Sequence, residues 1–87
     1  MKHDSHPDIV KRLKRSEGHL RKTIQMIEDG RACTDLAQQL HAVQKAIESA
    51  KKLLIHDHID HCLSESASGS RDTRTMIAEF REISKYL

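Results

Sequence analysis

Two cysteines and one histidine carry the most specific chemistry in this chain. His58 and Cys62 lie four residues apart. On a helix they would project from one face with Cβ atoms about 6 Å apart, close enough to share a metal ion. Cys33 is the only other thiol. Two thiolates and an imidazole form a soft donor set suited to Cu(I), which accepts three ligands, whereas Zn(II) normally takes a fourth. His56 and His61 lie off the ligand face; either is a candidate to support the site from outside, the alternative being a plain surface residue. His3, third from the amino terminus, is a second accessory candidate, in an arrangement able to bind Cu(II) or Ni(II) if Met1 is retained. The alternative without metal makes Cys33 a small buried hydrophobe and the histidine cluster a solvated helix end.

These ligands need a scaffold, and the spacing supplies one. No Gly or Pro interrupts the stretch from Cys33 to Cys62, which predicts one long helix. His58 follows Cys33 by 25 residues, or about 37 Å at ~1.5 Å per residue. Within one chain Cys33 cannot then join His58 and Cys62, so a three-ligand site requires a second, antiparallel copy. Leu36, Leu40, Val43, Ile47, Ala50 and Leu54 alternate spacings of four and three, a seam suited to antiparallel bundle packing. Cys33, His58 and Cys62 extend that seam at its two ends.

Before it, Ile9, Leu13, Leu20, Ile24 and Met26/Ile27 form a helical stripe interrupted by Ser16, and Asp29-Gly30 ends it. Residues 1–8 are polar and read as a flexible arm, with Pro7 able to open the helix. After it, Ser64–Ser70 reads as a small-residue linker that breaks the helix. Met76, Ile77, Phe80, Ile83 and Tyr86/Leu87 then give a short third amphipathic helix. No strand pattern or repeat is present. The chain reads as a single all-α domain over 1–87, a three-helix protomer with a long central helix.

At 87 residues with 37% hydrophobic content, one copy has a thin core, and oligomerisation is a common remedy. The helix also separates the two cysteines too far for an intrachain disulfide. No apolar run approaches the ~18 residues of a membrane span and no signal-peptide core is visible, so a cytoplasmic location is expected. Net charge is only +2, yet six of the fifteen Lys and Arg fall within Lys11–Lys22. Arg12, Lys14 and Arg15, with Lys51 and Lys52 on the second helix, make a basic surface of the kind that binds phosphate backbones. Glu17, Glu28 and Asp29 dilute it, so a merely solvated face is the alternative. With one Phe, one Tyr and no Trp, the chain lacks the rings on which single-stranded bases stack, so duplex DNA is the fitting partner. No third residue visibly orients a Cys/His pair, and a helix seam offers little room for substrate, so an enzyme is disfavoured.

Arg12-Leu13-Lys14, Gly18-His19-Leu20, Cys33, Gln39, Ala42-Val43-Gln44, His58 and Cys62 together resemble the CsoR/RcnR/FrmR repressors. The resemblance runs from about Ile9 to Tyr86, and the Cys–(24 residues)–His–(3 residues)–Cys spacing is similar to the copper-sensing CsoR branch. It implies a dimer with an antiparallel four-helix core, usually paired into a flat tetramer, and a Cu(I) site joining Cys33 of one subunit to His58 and Cys62 of the other. It implies a repressor that holds operator DNA without metal and releases it on binding, with Glu79 supporting the site from behind the ligands. It implies DNA contacts at Arg12 and Lys14. Ala32 stands where copper sensors carry Tyr, Glu17 where they carry Arg, and Ser49 where they carry a second-helix Arg; Lys51 and Lys52 are available to compensate. The nickel and cobalt branch would use the amino terminus, His3, Cys33 and His58, but has His at the position of Cys62. The formaldehyde branch needs Pro after Met1, and this chain has Lys2. A persulfide sensor would use both cysteines without needing His58.

Overall fold

The structure is a computed structural model and describes residues 4–69 and 72–87, Ser66 by its backbone alone. His3, and with it the accessory role suggested for it, lies outside the described residues. Three helices follow in order: α1 (His6–Glu28), α2 (Cys33–Ser68) and α3 (Thr73–Ser84). There is no strand among the described residues, and the all-α reading holds.

α1 begins earlier than the polar arm suggested. Pro7 occupies its first turn, where a missing N–H costs nothing, and Asp8 adds a favourable negative charge at the positive end of the helix. The helix stops at Gly30, whose φ of 75° is the left-handed conformation that only glycine adopts freely. Around it the Arg31 N–H bonds to the Met26 carbonyl at 3.1 Å and the Gly30 N–H to the Ile27 carbonyl at 3.1 Å. That pair is the Schellman arrangement, which satisfies the last carbonyls.

α2 does not break at Ser64. It runs on to Ser68, and the turn comes at Gly69, φ 73°. The reason is chemical: Ser and Ala are tolerated inside helices, and Ser68 Oγ donates to the Glu65 carbonyl at 2.9 Å, a bond that keeps the helical backbone. Only a residue that prefers positive φ ends the helix. α3 then returns along the end of α2, its Asp72 cap in extended conformation and Thr75 Oγ1 donating to Asp72 Oδ2 at 3.5 Å.

The protomer measures 57 × 23 × 13 Å. Its thin dimension is about one helix diameter, so the helices form a single layer, and a stable core normally takes two. The exposed surface of 6658 Å² exceeds the ~5,200 Å² expected of a compact 10.0 kDa monomer. Among the described residues the buried apolar set is short: Ile9, Val43, Ala50, Ile55, Cys62 and Met76.

The expected stripes split in an instructive way. On α1 the residues facing α2 are Ile9, Ser16 and Thr23, each seven apart and all buried. Ser16, which interrupts the apolar pattern, belongs to the packed face, and its small size lets the helices approach. On α2 the opposing residues are Val43 and Ala50. The positions four after these buried ones are apolar and only half covered: Leu13, Leu20 and Ile27 on α1 and Ile47 and Leu54 on α2 are 39–49% exposed. Leu40, seven before Ile47, continues that stripe at 44% exposed. The positions three after are Arg12, His19 and Met26 on α1 and Ala46 and Leu53 on α2. The hairpin therefore has one apolar flank and a more polar flank around Arg12 and His19. No helix among the described residues is long and apolar enough to cross a membrane.

Candidate metal centre and basic flank

Cys33, Leu40, Ile47 and Leu54 are spaced by sevens along α2, and His58 and Cys62 continue that line in steps of four. The three sequence-predicted ligands thus sit on or beside the apolar flank. At the far end, Cys62 is buried and its Sγ lies 3.4 Å from His58 Nε2. Glu79 arrives from α3, and the Cys62 thiol donates to its Oε2 at 3.7 Å. Ligand atoms of His58, Cys62 and Glu79 all lie within 4.8 Å of one another. An ion bound at ~2.3 Å from sulfur and ~2.1 Å from nitrogen or oxygen places those donors about 3.6 Å apart at a tetrahedral angle. The 3.4 and 3.7 Å separations from the sulfur bracket that value, so the donor set fits a metal ion.

Cys33 opens α2 at its other end and is exposed. The helix between is unbroken, so Cys33 is not brought to His58 and Cys62 within one chain. The reading of Cys33 as a small buried hydrophobe does not hold for the protomer. His61 is not in the cluster either: its Nε2 lies 2.8 Å from Glu65 Oε1, one turn on. Glu79, expected to support the site, has its carboxylate facing the Cys62 sulfur. That approach depends on how α3 docks, which helical spacing in α2 could not reveal.

The basic residues separate into two groups. Arg12 and Arg15 line a hollow of about 170 Å³ on the polar flank, with Ser16 and His19 from α1 and Ala46 and Ser49 from α2. Arg12 Nε donates to Asp8 Oδ2 at 2.9 Å. His19 Nε2 lies 2.6 Å from Gln39 Oε1, a hydrogen bond that ties α1 to α2. Lys51 and Lys52 instead border a separate hollow with Gln44, Ile47, Glu48 and Leu87. There Lys52 Nζ is 3.4 Å and Lys45 Nζ 3.9 Å from Glu48. Lys52's hydrogen bond, then the charges of Lys45 and Lys52, hold the Glu48 carboxyl below its ordinary value. Within one protomer Lys51 and Lys52 are thus not brought to Arg12 and Arg15. Lys14 is exposed, pointing away from the α1–α2 contact. The hollow itself was not foreseen, although small residues at Ala46 and Ser49 opposite an Arg/His turn are the signal that marks it.

Comparison with known proteins places this geometry in context. Residues 5–86 match the profile of the family described as metal-sensitive transcriptional repressor. The copper-sensing transcriptional repressor CsoR of Bacillus subtilis is 36% identical over 77 residues, 88% of this chain and 75% of the relative. CsoR of Mycobacterium ulcerans is 37% identical over 62 residues, covering 71% of this chain and 53% of the relative, so the chain spans about half of that protein's length. Among solved structures, the nickel-responsive transcriptional regulator InrS superposes with a TM-score of 0.86 at 28% identity, over 99% of this chain and 96% of the other.

Proposed function

The chain belongs to the metal-sensitive transcriptional repressor family, and from that premise we propose that it is a Cu(I)-responsive repressor. In this reading it grips duplex operator DNA without metal and lets go when Cu(I) binds. Members of this family are transcriptional repressors, not enzymes, and the chain has their three-helix fold.

The observation that carries the copper reading is the buried Cys62 thiol 3.4 Å from His58 Nε2, with the second thiol, Cys33, on the same helical line at the opposite end. An antiparallel copy laid along the apolar flank brings Cys33 of one subunit to His58 and Cys62 of the other. That completes two thiolates and one imidazole, the soft set Cu(I) prefers. The half-exposed Leu13, Leu20, Leu40, Ile47 and Leu54 are what such a copy would cover. Two dimers would then join into a tetramer. The chemistry the ion would supply is charge and strong soft bonds; the protein's part is to bring the three donors together. By linkage, metal that loosens DNA must bind the DNA-free form more tightly by the same factor.

One observation favours a second reading, a nickel- or cobalt-responsive repressor. Glu79 Oε2 at 3.7 Å from Cys62 Sγ offers a fourth, oxygen donor, which a divalent ion accepts more readily than Cu(I) does, and the similar InrS fold is described as nickel-responsive. The deciding experiment is a mobility-shift assay on the protein's own promoter with Cu(I), Ni(II), Co(II), formaldehyde and polysulfide added separately. Release by Cu(I) at the lowest concentration supports the first reading; release by Ni(II) or Co(II) alone supports the second; release by formaldehyde or polysulfide alone overturns both.

A further inference from the structure

Cys62 has surroundings that the metal chemistry does not use. Where α3 returns along the end of α2 it leaves a hollow of about 360 Å³, and Ile59, Cys62 and Leu63 of α2 line it with Met76, Phe80 and Arg81 of α3. We infer that this hollow admits a planar apolar electrophile of the para-quinone class, which the Cys62 thiol captures as a covalent adduct. The inference goes beyond the repressor reading and concerns the metal-free chain without DNA.

Three observations narrow the occupant. The first is size: the volume falls at the lower end of the roughly 300–1,000 Å³ typical of small-molecule sites, which are mostly apolar with a few polar groups. The second is the wall. Met76 and Phe80 offer a thioether and a ring, and both pack well on an aromatic guest. An anionic or strongly polar guest would lose its hydration there without recompense. The third is the pair of reactive groups on the lining, a thiol at Cys62 and a guanidinium at Arg81. Cys62 is 4% exposed, so burial shields it from reagents in bulk water, and the hollow is the approach open to it. A nucleophile and a cation on one apolar space suit a ring conjugated to a carbonyl, whose oxygen gains negative charge as the sulfur adds.

The step balances with no further reagent. The Cys62 S–H bond breaks as its proton passes to the Glu79 carboxylate, which already accepts that hydrogen bond at 3.7 Å. The sulfur bonds to a ring carbon, the adjacent C=C electron pair shifts onto the conjugated carbonyl oxygen, and that oxygen takes the proton. The hydrogen on the substituted carbon then moves to the second oxygen, which restores an aromatic ring. The product is the sum of thiol and quinone: the quinone is reduced to the hydroquinone level, the sulfur carries carbon in place of hydrogen, and nothing leaves. A Cys62 so modified no longer offers a thiolate to a metal ion.

The test uses the full chain, metal-free, with para-benzoquinone as the probe and acrylamide as a polar acceptor that adds to thiols but has no ring. Peptide mapping by mass spectrometry follows both cysteines over time. The exposed Cys33 should react with acrylamide well before Cys62 does. With the quinone the order should reverse, and the Cys62 rate should saturate as quinone concentration rises, the mark of binding before addition. Phe80 and Leu63 are 47% and 62% exposed, so Phe80→Ser and Leu63→Ser should spare the fold, and circular dichroism checks each. Phe80→Ser should cut quinone labelling of Cys62 about tenfold, the scale of one lost aromatic contact, and Leu63→Ser should cut it less; Cys33 labelling should stay unchanged in both. Glu79→Gln should slow the saturated rate and leave the half-saturating concentration as it was. Quinone labelling of Cys33 ahead of Cys62, a Cys62 rate that never saturates, or labelling indifferent to both wall variants overturns the inference. So does a Cys62 that reacts only when dilution separates subunits, which makes a second copy the occupant. None of these readouts involves metal or DNA, so failure here leaves the repressor reading standing.

Discussion

Cys33 and Cys62 lie on one unbroken helix some 40 Å apart, yet both fall beside the same half-exposed apolar line through Leu40, Ile47 and Leu54. One thiol is exposed and the other buried beside an imidazole. In the proposed reading this relationship makes the protomer half of two sites rather than the owner of one.

Replacing either thiol should abolish tight Cu(I) binding. Cys33→Ala and Cys62→Ala are each expected to lose competition against a strong Cu(I) chelator while retaining native affinity for operator DNA without metal. A Cys62→Ala protein that still releases DNA on Cu(I) addition would show that the ligands have been misassigned.

Glu79 should separate two classes of ion. Glu79→Gln keeps the shape and removes the charged oxygen 3.7 Å from the Cys62 sulfur. Co(II) or Ni(II) affinity should fall about 10–100-fold, the range typical for disturbing ligand support, while Cu(I) affinity changes less than tenfold. Co(II) absorption in the visible checks the geometry: loss of four-coordinate intensity in the variant is expected. Identical Co(II) spectra for both proteins would put Glu79 outside the coordination shell.

The apolar flank should be an interface. Ile47 is 44% exposed in the protomer, so Ile47→Glu costs the isolated chain little but buries a charge in the dimer, a penalty of several kcal/mol per ion. Sedimentation is expected to show monomer, with Cu(I) binding lost in parallel. A dimer of native stability would place the interface elsewhere. Ile55, 2% exposed, makes the contrast: Ile55→Ala should cost about 2–5 kcal/mol in denaturant unfolding wherever the interface lies.

Arg12→Ala should weaken duplex binding and reduce the salt dependence by about one unit per lost phosphate contact. Lys52→Ala should change it less, because Lys52 borders a separate hollow from the one that Arg12 and Arg15 line. If the two variants reversed in order, the DNA face would lie along Lys51 and Lys52 instead.

Much of this was legible before any coordinates. Gly30 marked the end of α1 because positive φ is a property of one residue type, and the absence of Gly and Pro after Cys33 marked α2 as continuous. The linker at Ser64–Ser70 misled, because serine signals a turn only when it has no helix to continue; α2 ends at Gly69, where the backbone must reverse its sign. Spacing placed Leu36 to Leu54 on one seam but could not divide it. The residues facing α1 are Val43 and Ala50, and those left for another copy are Leu40, Ile47 and Leu54. Contacts between helices were the least legible. Glu79 against Cys62 and His19 against Gln39 depend on how α3 and α1 dock, and no periodicity within one helix encodes that.

The central claim is that each site takes Cys33 from one subunit and His58 with Cys62 from its neighbour. The most direct measurement mixes Cys33→Ala with Cys62→Ala protein, refolds them together and titrates Cu(I) against a chromophoric chelator. Neither parent should hold the ion tightly. The mixture should recover about a quarter of the native sites, since half the dimers are mixed and each rebuilds one of its two isologous sites. No recovery in a mixture shown by mass to contain heterodimers would contradict the shared site.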